Sequence, residues 1–258
     1  MMNKIIWITG AGSGIGKALA MAYNENGNTI ILSGRKKAQL EDVAGVLSNA
    51  YILPLDVVDE QAIAAAVAEV EAKFGKVDIL INNAGVSQRA LVTETSNEVG
   101  RQLMEVNFFG SIHLTKAVLP LMLKSGTGNI VGMSSVAGKF GFPLRSYYAA
   151  SKHALHGFYE ALGLELKDTD IHTSVVCPGR IKTNISKNAL KGDGAAHAEM
   201  DPGQAKGVDV DVCAAKIKRG ITRNKAEIYV GGMEILMIYF KRYTPWLFRF
   251  IAKRINPK

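Results

Sequence analysis

Short apolar runs rich in β-branched residues alternate along this chain with longer segments in which apolar residues recur every three or four positions. The first pattern is typical of buried strands and the second of amphipathic helices. The runs predict six strands, at residues 4–9, 28–32, 51–55, 78–81, 128–133 and 171–177. The amphipathic segments predict five helices, at residues 15–26, 36–47, 60–74, 97–123 and 147–166, with Asp59 as a cap of the third. The alternation predicts an α/β fold, a doubly wound parallel sheet with helices on both faces.

No stretch rich in Pro, Gly and Ser divides the chain, and no segment repeats. We therefore expect one domain over residues 1–230, followed by a C-terminal extension over residues 231–258. A polar, glycine-rich stretch at residues 191–207 follows the sixth predicted strand. Ligands of open α/β sheets bind outside the carboxyl ends of the strands, so the segment from about 180 to 207 is predicted to be a substrate lid.

The composition is that of a globular protein. The 258 residues are 48% hydrophobic and 21% charged, which is too apolar for a disordered chain. The longest uncharged run has fourteen residues, whereas a membrane-spanning helix needs ~20. The N-terminus lacks the layout of a signal peptide. Two cysteines, and five histidines without metal-ligand spacing, predict neither a disulfide framework nor a metal site. We expect a cytoplasmic protein.

Most of the net charge of +8 lies at the C-terminus. The last 28 residues hold six cations against Glu234, a local charge of +5, so the other 230 residues carry only +3. Nucleic-acid binding is disfavoured because the body of the protein has no concentrated basic face.

The C-terminal extension is also aromatic. Thr244 and Pro245 predict a helix start. Apolar and basic residues follow it on neighbouring faces: Leu247, Phe250, Ile251 and Ile255 beside Arg249, Lys253 and Arg254. Such a segment suits peripheral membrane contact, and it equally suits a cover over the substrate cleft, a subunit contact or a packed structural helix.

The first predicted strand runs into a glycine-rich turn at residues 9–16, after which a helix begins. Glycines let a pyrophosphate approach the backbone, and the helix N-terminus offers unpaired N–H donors. The spacing Gly-x3-Gly-x-Gly differs from that of the commonest dinucleotide fingerprint, and a tight turn would also use glycine. Alone, the turn is a weak indication of nucleotide binding.

Tyr148 and Lys152 lie four positions apart in a predicted helix and so share one face. An ammonium beside a phenol lowers the pKa of the phenol from its usual ~10. A tyrosine with a lowered pKa suits general acid–base catalysis near neutral pH. An amphipathic helix with an incidental pair has the same spacing. Two polar groups follow neighbouring strands, Ser135 after the fifth and residues 82–85 (Asn-Asn-Ala-Gly) at the fourth.

In this order and spacing, the motifs resemble those of the short-chain dehydrogenase/reductase family over residues 4–230. Residues 9–16 resemble its cofactor loop, residues 82–85 its fourth-strand motif and residues 177–179 its motif after the sixth strand. Ser135, thirteen residues before Tyr148, resembles its catalytic serine. The resemblance implies a single Rossmann-like domain and an NAD(P)(H)-dependent oxidoreductase acting on CH–OH groups.

The resemblance also implies roles for individual residues. Tyr148 would exchange a proton with the substrate oxygen, and Lys152 would lower its pKa and bind the nicotinamide ribose. Ser135 would hold the substrate oxygen, and Asn107, which resembles the family's helix asparagine, would order a water. The implied cofactor contacts are Gly10, Ser13, Gly14, Ile15, Gly16, Arg35, Asp56, Val57, Asn83, Ala84, Gly85, Tyr148, Lys152, Pro178, Gly179, Ile181 and Thr183.

Two neighbours compete with these residues by type. Tyr147 has Ser151 rather than a lysine four positions on, so Tyr148 is preferred. Ser135 is preferred to Ser134 only because of the family's spacing.

The end of the second predicted strand indicates which nicotinamide cofactor is used. NAD binders of this fold place an acidic residue there for the ribose hydroxyls. Here Gly34 and Arg35 are followed by two lysines, with no carboxylate. The planar guanidinium of Arg35 suits a 2′-phosphate, so we expect NADP(H) to be preferred over NAD(H). A solvated basic helix start is the alternative interpretation.

An apolar side of the substrate pocket is predicted by four residues between the serine and the tyrosine: Phe140, Phe142, Pro143 and Leu144. The favoured substrate is therefore an apolar alcohol or ketone. Two alternatives are a 3-oxoacyl carrier-protein reductase and a non-catalytic NADP-sensing protein, the latter having no use for an acid–base tyrosine. The expected partners are a small-molecule substrate and further copies of the chain, as a homodimer or homotetramer.

Overall fold

The computed structural model describes residues 3–25 and 27–254. Within these ranges seven strands form one parallel sheet: β1 (Ile5–Thr9), β2 (Thr29–Ser33), β3 (Ala50–Ile52), β4 (Ile79–Asn82), β5 (Thr127–Met133), β6 (Asp170–Pro178) and β7 (Glu227–Val230). Their order across the sheet is β3-β2-β1-β4-β5-β6-β7. The six predicted strands are present, and β7 extends the sheet beyond them.

Helices cover both faces of this sheet, which confirms the predicted doubly wound α/β fold. They are α1 (Gly14–Tyr23), α2 (Lys37–Ala44), α3 (Glu60–Phe74), α4 (Asn97–Met104), α5 (Gly110–Ser125), α6 (Ser146–Glu165), α7 (Pro202–Ala205), α8 (Val210–Thr222), α9 (Leu236–Tyr243) and α10 (Pro245–Ala252). Asp59 caps α3 as predicted, because its Oδ1 accepts a hydrogen bond from the Ala62 backbone N at 2.9 Å.

Several predicted elements have different bounds in the structure. β3 ends at Ile52 instead of residue 55, and Pro54 has no N–H to offer a sheet ladder. The predicted helix at 15–26 ends earlier, at Tyr23, and residue 26 lies outside the described residues. The helix predicted at 97–123 consists of α4 and α5 joined by a π-helical turn at Glu105–Phe109.

Two apolar clusters lie on opposite faces of the sheet because successive strand side chains point in opposite directions. In β1, Ile6 and Ile8 pack on the face covered by α1 and α8, while Trp7 packs on the face covered by α3, α5 and α6. All three side chains are fully buried. Strands buried on both faces read as continuous apolar runs, which is why the sequence revealed them.

The site is positioned by the reversal of strand order between β1 and β4. β1 pairs with β2 on one side and with β4 on the other, so the chain leaves the carboxyl ends of β1 and β4 in opposite directions. A crevice opens where such connections diverge. The turn after β1 and residues 83–85 after β4 therefore face each other across it.

One helical stretch, Asn97–Ser125, is long and apolar enough to cross a membrane by length and composition alone. Half of its most apolar window is buried in the protein. Its residues Leu114, Val118 and Met122 pack in the core beneath the sheet. The apolar composition of this stretch therefore has an explanation in the core of the fold.

The C-terminal extension folds back onto the body of the protein. Met237 and Ile238 of α9 and Phe248 of α10 form an apolar cluster with Phe140. Thr244 and Pro245 occupy the N-cap and first position of α10, as predicted. Ile255 and Lys258, also assigned to this segment, lie outside the described residues.

Candidate active site

The turn between β1 and α1 has the conformation that its glycines predict. Gly10 and Gly14 have φ angles of +63° and +53°, a left-handed region that favours glycine. A Cβ on Gly16 would lie 2.3 Å from the Gly10 carbonyl oxygen, so no side chain fits there. The turn leads directly into the N-terminus of α1, with Ser13 at the N-cap position.

A cavity of about 710 Å³ opens beside this turn, at the carboxyl ends of β1, β4, β5 and β6. The sequence-predicted residues that line it are Gly10, Ser13, Gly14, Ile15, Asn83, Ala84, Gly85, Ser135, Tyr148, Lys152, Pro178, Gly179, Ile181 and Thr183. Five other predicted site residues are not among its lining residues: Gly16, Arg35, Asp56, Val57 and Asn107.

The end of β4 is tied to the end of β1 by side-chain hydrogen bonds. The Thr9 hydroxyl accepts from the backbone N of Asn83 and of Ala84, each at 3.0 Å. Asn83 Nδ2 donates to the Thr9 carbonyl at 2.9 Å. These bonds hold the two backbone segments on opposite walls of the crevice in a fixed relation. Thr9 begins the predicted glycine turn, but its hydrogen bonds to the end of β4 were not predicted from the sequence.

Tyr148 and Ser135 meet on the wall formed by β5 and α6. Tyr148 is buried, and burial raises the pKa of its phenol. Side-chain hydrogen bonding with Ser135 and the charges of Arg145 and Arg89 lower that pKa in part. Ser135 itself donates to the Pro178 carbonyl at 3.3 Å. The Tyr148 phenol is therefore protonated at neutral pH and has a hydroxyl partner.

Lys152 makes a contact that the sequence does not reveal. Its Nζ donates to the Met133 carbonyl at 2.8 Å and lies 5.8 Å from the centre of the Tyr148 ring. Burial lowers the pKa of Lys152 to about 7. Ser135, Arg145 and Arg89 are the groups that lower the pKa of Tyr148 in this structure, and the role expected of Lys152 stays a prediction.

Asn107 lies in the π-helical turn, where it bonds the loop after β4 to α6. Its Nδ2 donates to the Val86 carbonyl at 2.9 Å and to the Ser151 hydroxyl at 3.0 Å, and its Oδ1 accepts from the Val86 N at 2.8 Å. Both amide protons are therefore used within the protein. This side chain positions the wall of the cavity.

The two competing residues, Tyr147 and Ser134, have other partners in the structure, although Ser134 also lines the cavity. The Tyr147 ring packs against Gly100, where a Cβ would lie 2.6 Å from it. The Ser134 hydroxyl donates to the Lys152 carbonyl at 3.0 Å and lies 3.1 Å from His156 Nε2. Of the two serines, Ser135 is the one whose side-chain hydrogen bonding lowers the pKa of Tyr148.

Behind Ser134, a group of ionisable side chains joins α6 to β7. His156 Nδ1 lies 3.3 Å from Glu227 and 3.8 Å from Glu160, a spacing that a metal ion would accept. Lys139 and Tyr229 also contact Glu227. Hydrogen bonding from His156, Lys139 and Tyr229 lowers the pKa of Glu227 to about 2, although burial opposes it. The protein's own donors thus occupy this carboxylate.

Arg145 lines the cavity and shares the carboxylate of Asp201 with Arg89, and sequence reasoning missed all three. Arg89 Nε donates to Asp201 Oδ1 at 3.1 Å, and its Nη2 contacts the other carboxylate oxygen. Arg145 Nη2 donates to that same Oδ2 at 3.1 Å. Gln88 was missed as well, although its side-chain oxygen accepts from the backbone N of residues 147 and 148 at the start of α6. No motif or spacing connects these residues in the sequence.

The residues predicted to contact the adenosine half lie beyond the cavity rim. Arg35 is exposed, just past the end of β2. The Ser33 carbonyl accepts from the Ala11 N at 3.0 Å, which places this strand end beside the glycine turn. Asp56 is half-buried, and Val57 packs against Gly110.

The predicted apolar side of the pocket is formed differently. Phe140 is buried at 1% exposure, and its ring lies 5.5 Å from that of Phe248 in α10. Phe142 packs 4.6 Å from Phe140. Neither these two residues nor Pro143 and Leu144 are among the residues that line the cavity, although Phe142 packs against the cluster that contains Tyr148. The C-terminal extension covers this apolar surface instead.

Comparison with known sequences identifies the family. The profile of the short chain dehydrogenases matches residues 4–194, nearly three quarters of the chain. The chain belongs to the short-chain dehydrogenase/reductase family. Members of this family are oxidoreductases that bind a nicotinamide cofactor. The resemblance seen in the sequence motifs is thereby confirmed.

Individual relatives cover nearly the whole chain. Dehydrogenase/reductase SDR family member 7B of Rattus norvegicus is 38% identical over 98% of this chain and 82% of its own length. A family protein 7-like of Drosophila melanogaster is 41% identical over 98% and 80%. A short-chain dehydrogenase structure from Streptomyces avermitilis has a TM-score of 0.83 and 31% identity over 99% of this chain and 100% of its own.

The residues present fit a nicotinamide dinucleotide. A side chain at Gly10 or Gly16 would collide with residue 83 or with the turn itself, so the close backbone approach that a pyrophosphate needs is preserved. The N-terminus of α1 faces the same space and provides N–H donors. Lys152 reaches the cavity from α6 and is a cation available for the ribose end.

Proposed function

We propose that this protein is an NADP(H)-dependent dehydrogenase/reductase that interconverts an alcohol with a ketone or aldehyde. The observation that carries the proposal is that Ser135, Tyr148 and Lys152 line one cavity together with the glycine turn. A bound nicotinamide supplies the hydride for such a reaction. The protein then needs only to hold the substrate oxygen and to move one proton.

In the proposed reduction, the Tyr148 hydroxyl gives its proton to the carbonyl oxygen as that oxygen gains negative charge. Burial keeps the phenol protonated beforehand, and the nearby arginines stabilise the phenolate left behind. The Ser135 hydroxyl donates to the same substrate oxygen. Lys152 leaves the Met133 carbonyl and binds the ribose hydroxyls. Asn107 orders a water for the returning proton through its side-chain oxygen, because both of its amide protons are bonded within the protein.

We propose that the substrate has an apolar portion, which would contact residues other than the four predicted from the sequence. Val86, Ile185 and Met200 line the cavity. The last two belong to the proposed lid, residues 180–207, whose residues also include the buried Gln204. We place the catalytic domain at residues 1–230, in a cytoplasmic homodimer or homotetramer.

The test is a screen for substrate-dependent NADPH oxidation with ketones, aldehydes and acyl thioesters. Turnover of simple ketones or aldehydes supports the proposal, and turnover of acyl thioesters alone would favour a 3-oxoacyl carrier-protein reductase. Tight NADPH binding without any turnover would instead indicate a cofactor-sensing protein.

Replacing Arg35 by Ala should weaken NADPH binding much more than NADH binding, because only NADPH carries the 2′-phosphate. Arg35 is exposed just beyond β2 and forms no ion pair among the described residues, so its guanidinium is available. A charged hydrogen bond contributes ~1.5–3 kcal/mol, so the preference for NADPH should fall roughly 10- to 150-fold. Fluorescence titration of both cofactors measures this ratio.

A matched control is Lys37→Ala, another exposed cation that follows β2 and pairs with Glu41 at 3.7 Å. It should change the ratio far less. Equal losses of NADPH and NADH affinity in Arg35→Ala would show that Arg35 is structural.

We further propose that the C-terminal extension, residues 231–258, contacts an anionic membrane peripherally. Its inner face packs on Phe140, while Trp246, Tyr243 and Phe250 remain exposed, Trp246 at 70%. Exposed Arg249 lies on the same helix. Aromatic insertion with basic neighbours is the pattern of an interfacial helix.

Liposome sedimentation tests this contact. Binding should need anionic lipid and weaken with salt, since each basic residue near such a surface contributes ~1 kcal/mol that salt screens. Replacing Trp246 and Phe250 by Ser should abolish binding, and the fold should survive because both side chains are exposed. If sedimentation is indifferent to anionic lipid, the helix is a packed structural element only.

A further inference from the structure

Arg145, which lines the cavity next to Tyr148, belongs to a group of charged side chains that carries more positive than negative charge. Arg89 and Arg145 share a single carboxylate, that of Asp201. Arg89 takes both carboxylate oxygens, one through Nε and one through Nη2. Arg145 adds one hydrogen bond to an oxygen that Arg89 already contacts. One unit of positive charge is therefore left without a counter-ion in this group.

That charge is accessible from the cavity. Arg145 lines the cavity, and its side chain is 24% exposed, whereas that of Arg89 is 9% exposed. A guanidinium has five N–H donors, and the bond to Asp201 is the one side-chain hydrogen bond of Arg145 among the described residues. Donors in a planar fork thus face the space where substrate binds.

The position of Arg145 relative to Tyr148 is set by the backbone. Arg145 is the N-cap residue of α6 and precedes Tyr148 by three positions, one helical turn. The preceding residue, Leu144, has a φ of +64°, which is uncommon for a residue other than glycine, and its carbonyl accepts from the Ala90 N at 3.2 Å. The contact with Ala90 holds the turn that aims Arg145 at the cavity.

We infer that the substrate carries an anionic group, a carboxylate or a phosphate, which Arg145 binds while the reacting carbonyl lies against Tyr148 and Ser135. The inference rests on the proposed function and specifies its substrate class. The planar fork of an arginine matches both kinds of oxyanion, and a partly buried cation favours an anionic ligand. Ile185 and Met200 contact the apolar remainder of the same molecule.

A structural role for Arg145 is the alternative: its ion pair with Asp201 would only hold the segment that carries Asp201 in place. Asp201 is the residue before α7, in the proposed lid. The two roles differ in what the substrate's charge does. A fastening role affects neutral and anionic substrates alike, whereas a binding role affects the anionic substrate alone.

The experiment compares two pairs of ketones, each with an anionic and a neutral member. One pair is 4-oxopentanoate and its methyl ester, and the other is hydroxyacetone phosphate and hydroxyacetone. The wild-type kcat/KM with NADPH should favour the charged member of at least one pair by roughly 10- to 150-fold, the range of a charged hydrogen bond. The pair with the larger ratio distinguishes a carboxylate from a phosphate. Arg145→Gln should bring that ratio close to one. Because both members of a pair depend on Tyr148 equally, the ratio is insensitive to changes in the tyrosine pKa.

Two further variants complete the test. Arg101→Gln removes an exposed arginine of α4 and should leave the ratio unchanged. Asp201→Asn frees Arg145 and should keep or raise the ratio, whereas a fastening role predicts equal losses for both members of a pair. Equal kcat/KM values for charged and neutral ketones in the wild type would overturn the inference.

Failure of the proposed function has a different signature. If no ketone is turned over, calorimetry of 4-oxopentanoate and its ester with the NADPH complex still measures the charge preference. Tighter binding of the acid, lost in Arg145→Gln, would support the anion site without the reaction. Equal affinities for acid and ester would reject the anion site.

Discussion

Replacing Tyr148 by Phe should lower kcat by about 10²- to 10⁴-fold, the range expected for loss of a general acid–base group, while NADPH affinity stays close to that of the wild type. The substitution keeps the buried ring and removes only the hydroxyl that meets Ser135. Steady-state kinetics on a substrate found in the screen, with fluorescence titration of NADPH, measures both quantities.

Tyr147→Phe is the matched control, since Tyr147 is adjacent and packs its ring on Gly100, away from the cavity lining. It should retain most of the activity. Near-normal turnover in Tyr148→Phe, or equal losses in both variants, would contradict the assigned proton transfer.

The stability of the cofactor-free protein should increase with pH between about 7 and about 8.5 through Lys152. Its pKa is about 7 in the folded protein and 10.5 as the usual lysine value, so in this window the unfolded chain binds more protons than the folded one. Unfolding then becomes less favourable as pH rises, and this contribution is lost as pH falls towards 7. The gain across the window is on the order of 2 kcal/mol.

Urea unfolding at a series of pH values measures this dependence. Lys152→Met retains a long apolar side chain but cannot titrate, so its stability should change less over the same window. Lys167→Met, at an exposed position after α6, is the control and should keep the wild-type slope. Identical slopes in the wild type and Lys152→Met would show that Lys152 remains charged when buried.

The same arrangement explains why Lys152 is suited to a site that binds a charged cofactor. Without cofactor, its Nζ is satisfied by the Met133 carbonyl in a buried position where a full charge is unfavourable. Hydroxyls and phosphates in the cavity would favour the charged form. At pH 8, Lys152 should therefore bind a proton when the cofactor binds, because protonation of Lys152 and cofactor binding favour each other.

Local features of the chain were predictable from the sequence. The strands are buried on both faces, so each appears as an unbroken apolar run, and Asp59 caps α3 through neighbours only three positions away. The glycine turn and the Tyr148–Lys152 spacing depend on backbone conformation and helical period within a few residues. These are short-range properties, and for that reason the family was identified correctly from the sequence.

The contacts between distant parts of the chain were decided by the tertiary structure alone. Asp201 is 112 residues from Arg89 and 56 from Arg145, and no period or motif relates them. Phe140 was expected in the pocket, but the C-terminal extension returns to cover it. The pKa of Tyr148 likewise depends on Ser135 and Arg89, which approach it only in the folded protein. The sequence by itself determined six of the seven strands, the glycine turn and the shared helix face of Tyr148 and Lys152, whereas the pairing of Arg89 and Arg145 with Asp201 arose only when remote segments packed together.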